Sequence, residues 1–160
     1  TDRVKESLFN MINSYIMESE VLDLFAGTGS LGIECLSRGA KSCTFVDISK
    51  ESIDIVKSNI KKARVESESI ILNLDFKTAI DKLKLQNSKF DIIFMDPPYY
   101  KNMFIEAIEK IDNSNLLNED GIIVVEHDTN DLFPDKICKL EKTRDKKYGN
   151  TTLTFYKMEA

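Results

Sequence analysis

The sequence predicts an α/β fold built on a doubly wound, mostly parallel, seven-stranded sheet that ends in a C-terminal antiparallel hairpin. Three observations carry that expectation. Short apolar runs recur along the chain, and helical patterns separate most of them. A glycine-rich segment joins the first run to the first of those helices. Beyond residue 136 the rhythm changes to alternation on either side of Gly149-Asn150, as in paired antiparallel strands.

The elements follow in order. Residues 21–25 read as the first strand and Ser30–Ser37 as the helix after it. Residues 43–46 lead to a helix over Lys50–Ala63, with Ile53, Val56 and Ile60 on one face and Ser49 as its N-cap. Ser69–Leu72 precedes a short helix at 77–85. In Asp91-Ile92-Ile93-Phe94-Met95 no polar residue follows the first, the pattern of a central strand buried on both faces. A helix near 103–111 leads to a strand at 122–125, and strands at 137–143 and 152–156 close the chain. No repeat, low-complexity stretch or linker interrupts this order, so one domain over 1–160 is expected.

Composition narrows the class. With 160 residues, 42% hydrophobic and 31% charged, the chain can bury a core and is neither disordered nor a disulfide scaffold. No apolar run approaches the roughly 18 residues of a membrane span, and no signal-peptide pattern is visible. Cys35, Cys43 and Cys138 are odd in number and unpaired in spacing. With the single His127 they do not make a structural zinc site, so buried free thiols in a reducing cytoplasm are expected. A net charge of −5 argues against non-specific coating of nucleic acid. It leaves room for a local basic patch: Lys136, Lys139, Lys142, Arg144, Lys146 and Lys147 face only Glu141 and Asp145 in that stretch. Arg3 and Lys5 would add to the patch if the termini meet, although a solvated strand edge explains the same composition. The first residue is Thr1, inside what reads as a helix cap, which points to a missing piece of the natural N-terminus.

The glycine segment is Asp23-Leu24-Phe25-Ala26-Gly27-Thr28-Gly29-Ser30-Leu31-Gly32. Three glycines between a strand and a helix let a ligand lie against backbone N–H groups. Asp47 ends the next strand, 20 residues beyond Gly27, where a carboxylate can accept both ribose hydroxyls of an adenosine-containing ligand. A pyrophosphate at the helix N-terminus would not welcome extra negative charge beside it. Asp23, just before the loop, instead suits a positively charged amino group, as in S-adenosylmethionine. Asp75, after the third strand, is placed to meet an adenine exocyclic amine, or to cap a helix.

Asp96-Pro97-Pro98-Tyr99 follows the buried strand. Two prolines fix the backbone and remove donors, leaving local carbonyls free to accept. The exocyclic amine of a nucleobase is a poor nucleophile because its lone pair is delocalised into the ring. Accepting its N–H bonds with the Asp96 carboxylate and the Pro97 carbonyl turns that lone pair toward an electrophilic methyl, and Tyr99 offers a flat face to an unstacked base. A rigid turn with a core tyrosine is the plain alternative. No cysteine is expected beside this loop, which argues against a cysteine-dependent methylation of a pyrimidine carbon. His127 reads more naturally as structural than as a base, and Tyr100 has no assigned role.

These two loops resemble those of class I S-adenosylmethionine-dependent N-methyltransferases, which have a Rossmann-like fold. Residues 1–10 (Thr-Asp-Arg-Val-Lys-Glu-Ser-Leu-Phe-Asn), 32–40 (Gly-Ile-Glu-Cys-Leu-Ser-Arg-Gly-Ala) and 148–151 (Tyr-Gly-Asn-Thr) narrow the resemblance to the RsmD family, which methylates the N2 amine of one guanine in 16S rRNA. The resemblance implies a cofactor site at Asp23, Phe25, Gly27, Gly29, Asp47 and Asp75, and chemistry at Asp96, Pro97, Pro98 and Tyr99. It implies S-adenosylmethionine as cofactor and no metal. The implied partner is 16S rRNA, within a small ribosomal subunit or an assembly intermediate, for a monomeric cytoplasmic enzyme. Two departures stand out: Asp47 occupies a position where the family commonly has Glu, and the family's basic N-terminal arm before Thr-Asp-Arg is absent, lowering the expected RNA affinity. A DNA adenine-N6 methyltransferase uses the same four-residue loop but needs a target-reading domain. A NAD(P)-dependent oxidoreductase and a non-catalytic RNA-binding relative are the remaining alternatives.

Overall fold

A computed structural model describes residues 2–96 and 101–160. Helix α1 (Asp2–Ile16) leads into strand β1 (Glu20–Asp23), followed by α2 (Ser30–Ser37), β2 (Ser42–Val46) and α3 (Lys50–Ala63). Then come β3 (Ser69–Leu72), α4 (Phe76–Leu85), β4 (Phe90–Met95), α5 (Lys101–Asn113) and β5 (Leu117–Asp128). A two-residue strand β6 (Lys136–Ile137) and the pair β7 (Leu140–Tyr148) and β8 (Thr151–Met158) complete the chain. The strand order is β3-β2-β1-β4-β5-β8-β7-β6. The first five run parallel and the last three pair antiparallel. The sheet therefore has eight strands rather than the expected seven. The stretch read as one strand at 137–143 is split by Cys138, whose φ of +52° turns the chain between β6 and β7. Cys138 is thus an exposed turn residue rather than a buried strand thiol, whereas Cys35 and Cys43 are buried.

The core explains the layering. On one face, α1, α2 and α3 bury residues such as Phe9, Ile12, Cys35 and Val56 against Phe45, Phe94 and Phe155. On the other, Ile80 and Leu83 of α4 and Ile108 and Ile111 of α5 pack on Leu22, Ile93 and Ile123. The central position of β4 accounts for its lack of outward polar residues. Where it meets β1, the strand order reverses direction, and the carboxyl ends of these two strands form the crevice that doubly wound sheets offer to ligands.

Local chemistry starts and stops the elements as expected. Ser49 is the N-cap of α3, its hydroxyl accepting the Ser52 N–H at 3.2 Å. Tyr148 pairs with Thr151, so the β7–β8 connection is the two-residue turn Gly149-Asn150, with the positive φ of +59° taken by glycine. Helix α4 begins one residue earlier than the periodicity suggests, because Asp75 caps it.

Candidate active site

The glycine segment leaves β1 and is pinned by both neighbouring strands. The Leu24 N–H donates to the Phe94 carbonyl at 3.2 Å and the Ala26 N–H to the Val46 carbonyl at 2.9 Å. Gly27 and Gly29 have φ of +59° and +80°, the left-handed region that a Cβ disfavours. A Cβ on Gly27 would meet nothing within 4 Å, so its backbone faces open space. Gly32 serves packing, whereas a Cβ on Gly29 would only reach ordinary contact with Phe45 and Val56 at 3.4 Å. A Cβ on Gly32 would come within 2.5 Å of Cys43 Sγ and Phe45, which is why α2 can sit so close to β2.

A cavity of about 490 Å³ opens at this end of the sheet. Five residues expected from the sequence line it: Phe25, Gly27, Asp47, Asp75 and Asp96. Asp47 is held firmly. One carboxylate oxygen accepts the Gly27 N–H at 2.9 Å and the other the Ser49 N–H at 2.9 Å, leaving lone pairs on both for ligand hydroxyls. Asp75 is both a cap and a lining residue, its oxygens accepting the Thr78 N–H and hydroxyl at 2.9 and 2.8 Å. Those bonds hold its carboxyl below the usual range.

Asp23 and Gly29 are not among the lining residues. Asp23 lies behind the loop, 3% exposed, with one oxygen accepting the Gly32 N–H at 3.2 Å. Burial pushes its pKa up to about 7, against the lowering effect of that bond, and the charges of Asp96 and Asp47 push it further up. Asp96 is solvent-reachable at its surface but flanked by protein. Partial desolvation, then the Glu126 charge, raises its pKa to about 6. Pro97, Pro98, Tyr99 and Tyr100 lie outside the described residues. Asp47 and Asp96 line the cavity and the charges of both act on Asp23 behind the same glycine turn, a field that favours a cationic ligand over a phosphate.

Sequence reasoning missed the apolar half of the cavity. Ile48, next to Asp47, is 73% exposed and lines it, with Leu74, Phe76 and Met103. Phe25 and Phe76 meet with ring centroids 5.5 Å apart, forming one wall. The only signal in the chain was position, an apolar residue directly after each strand-end acid or cap.

His127 is structural. Its Nε2 and Nδ1 hydrogen-bond the Thr154 hydroxyl and the Asp128 carbonyl at 2.6 and 2.8 Å, and its ring stacks near Phe133 at 4.2 Å. Among the described residues no cluster of three or more His, Cys, Asp or Glu is arranged to hold a metal ion.

The sequence model of a family described as conserved hypothetical protein 95 matches residues 1–157. The chain belongs to this family, RsmD. A Bacillus subtilis relative, "Putative rRNA methyltransferase YlbH", is 41% identical over 157 residues, covering 98% of this chain and 85% of that protein. The RsmD relative of Haemophilus influenzae named ribosomal RNA small subunit methyltransferase D is 41% identical over 128 residues, 78% of this chain and 65% of its own length. Among solved structures, a conserved hypothetical protein of Streptococcus pyogenes superposes with a TM-score of 0.89 at 36% identity, covering 97% of this chain and 95% of that one. The RsmD fold of the chain is therefore the Rossmann-like class I arrangement expected from its two loops.

Proposed function

We propose that this protein transfers a methyl group from S-adenosylmethionine to the exocyclic N2 amine of a guanine in small-subunit 16S rRNA. The observation that carries this reading is the convergence of Asp47 and Asp96 on one cavity, with Asp23 behind the same glycine turn. A dinucleotide would bring its pyrophosphate into that negative field, whereas a sulfonium and an ammonium are stabilised by it. Relatives named as rRNA methyltransferases support the substrate class.

In this reading the cofactor supplies an electrophilic methyl group on a positively charged sulfur. Asp47 accepts the ribose hydroxyls, and the Gly27 turn lets the ligand approach the backbone. Ile48, Phe76 and Phe25 bury the adenine, and Asp75 faces its amine at the cavity edge. Asp23 and Gly29 shape and charge the turn from behind. Asp96 accepts one N–H of the target amine, and the Pro97 carbonyl accepts the other, so that the nitrogen lone pair is drawn out of conjugation with the ring and toward the methyl. Pro98 stiffens the loop and Tyr99 stacks on the extruded base. After the nitrogen–carbon bond forms and the carbon–sulfur bond breaks, the nitrogen must shed a proton. A carboxylate with a pKa near 6 is a better acceptor for it than an ordinary one. Positioning supplies most of the acceleration, of the order of 7–11 kcal/mol for well-oriented reactants. The whole chain acts as one domain and as a monomer, on rRNA within the cytoplasmic small subunit or an assembly intermediate.

The test is methyl transfer from labelled S-adenosylmethionine to unmethylated small subunits, protein-free 16S rRNA and duplex DNA, each digested to nucleosides. Label in N2-methylguanosine is the expected result. Label confined to N6-methyladenine of the DNA would replace this reading with that of a DNA methyltransferase.

A further inference from the structure

The β7–β8 turn stands at the same end of the sheet as the carboxyl terminus of the Asp96 strand. Strand β8 runs antiparallel to β5, and Thr151 pairs with Asp128, two residues past the Glu126 whose charge acts on Asp96. From β4 to β7 the sheet steps through β5 and β8, three spacings or roughly 14 Å. The turn is braced from two sides. The Thr129 N–H donates to the Asn150 carbonyl at 2.8 Å, and its hydroxyl to the Gly149 carbonyl at 2.9 Å. The hydroxyls of Ser7 and Tyr148 hydrogen-bond each other, which brings the first turns of α1 against the hairpin tip.

The basic residues of this stretch divide by partner. Lys136 is paired with Glu159, and Lys142 with Asp135 and Asp145. Asp145, the acid nearest the tip, is engaged by that lysine and by the Thr154 hydroxyl at 2.6 Å. Arg144, Lys146 and Lys147 are exposed, and no carboxylate among the described residues pairs with them. Lys146 lies over the Tyr148 ring, 5.9 Å from its centroid. Arg3, one helical turn before Ser7, is likewise exposed and unpaired among the described residues. On a chain of net charge −5, these cations straddle the free end of β7, Arg144 and Lys146 on the face toward α1 and Lys147 on the other, and make a local positive rim on a fixed platform at the site end of the sheet.

We infer that Arg144, Lys146 and Lys147, with Arg3, bind the phosphates of the RNA strand that flanks the target nucleotide. The inference rests on the RNA-methyltransferase reading and adds the surface that holds the substrate. Phosphate contacts of this kind set position and affinity without reading sequence.

The test compares the unaltered protein with Lys146→Gln/Lys147→Gln and with the triple variant that adds Arg144→Gln. Binding to whichever is methylated, small subunits or protein-free 16S rRNA, is measured across salt concentrations. A Lys61→Gln/Lys62→Gln pair in the last turn of α3, at the opposite end of the sheet, controls for loss of charge anywhere. The tip variants should bind RNA at least about tenfold more weakly, with a salt slope shallower by about 0.7 for each phosphate left without its cation. Their KM for RNA should rise while kcat and S-adenosylhomocysteine affinity stay unchanged, and the control pair should behave as the unaltered protein. Unchanged affinity and slope in the tip variants, or an equal loss in the control pair, would overturn the rim and leave the methylation reading standing. An unaltered protein that neither binds nor methylates rRNA would overturn both.

Discussion

The carboxylate of Asp47 accepts the backbone N–H of Gly27 at 2.9 Å, so the acid that ends β2 holds the glycine turn that follows β1. One side chain therefore serves two purposes, fixing the turn and presenting lone pairs to a ligand. Asp47→Ala should abolish measurable S-adenosylhomocysteine binding in calorimetry. It should also destabilise the unliganded protein by about 1–3 kcal/mol, since the Gly27 and Ser49 N–H groups lose their acceptor. Loss of binding with an unaltered melting temperature would show that the turn does not depend on this bond.

Asp23 sets a conflict between stability and ligand affinity. Its folded pKa of about 7 lies above its unfolded value, so the folded state holds an extra proton between about pH 4 and 7. Stability from this group is therefore highest at the acid end and falls as pH rises through that window. Asp23→Asn should raise the melting temperature of the unliganded protein at pH 8 and change it little at pH 4.5, while weakening cofactor binding at pH 8. In the unaltered protein, affinity for S-adenosylmethionine should fall as pH drops below about 7, because the neutral acid no longer attracts a cation.

In the proposed reaction the ionised form of Asp96 is the one that accepts strongly from the target amine and can take its proton. With a pKa raised to about 6, the single-turnover rate should fall as pH drops through that value. Asp96→Asn should reduce the transfer rate roughly 10²- to 10⁴-fold and remove this acid limb, with S-adenosylhomocysteine affinity nearly intact. A rate that persists with an unchanged pH profile would remove Asp96 from the chemistry.

The glycines should separate by consequence. Gly32→Ala places a Cβ within 2.5 Å of Cys43 Sγ and Phe45 and should cost about 1–3 kcal/mol of folding stability. Gly27→Ala meets no neighbour and carries only the strain of φ +59°, about 1–2 kcal/mol, yet it intrudes on the ligand side of the turn. Denaturant titration and calorimetry on the same two variants should place the larger stability loss on Gly32 and the larger affinity loss on Gly27.

Ile48 offers the cleanest separation of binding from folding. At 73% exposure its truncation leaves the core untouched, so Ile48→Ala should keep the melting temperature of the unliganded protein within a degree or two. If an adenine packs on it, the truncation removes apolar burial of the order of 1–2 kcal/mol, or roughly tenfold in S-adenosylmethionine affinity by calorimetry.

Much of this architecture could be read from the chain because its signals are local. The positive φ at Gly27 and Gly29, the Ser49 cap and the two-residue turn at Gly149 are each decided within a few residues. Strand β6 was not legible because two residues have no periodicity to detect, and because Cys138 adopts a left-handed conformation that its residue type does not advertise.

Periodicity and backbone sterics act over short distances, so the chain alone specifies the order of elements from β1 to β5, the glycine turn, and the acids at the ends of the first two strands. The placing of Asp23 behind the turn, the facing of Ile48 into the cavity and the meeting of Ser7 with Tyr148 across 141 residues arise from long-range packing. Burial, the charges of neighbouring strands and contacts between distant segments exist only after the sheet has assembled. Those same influences set the ionisation of Asp23 and Asp96.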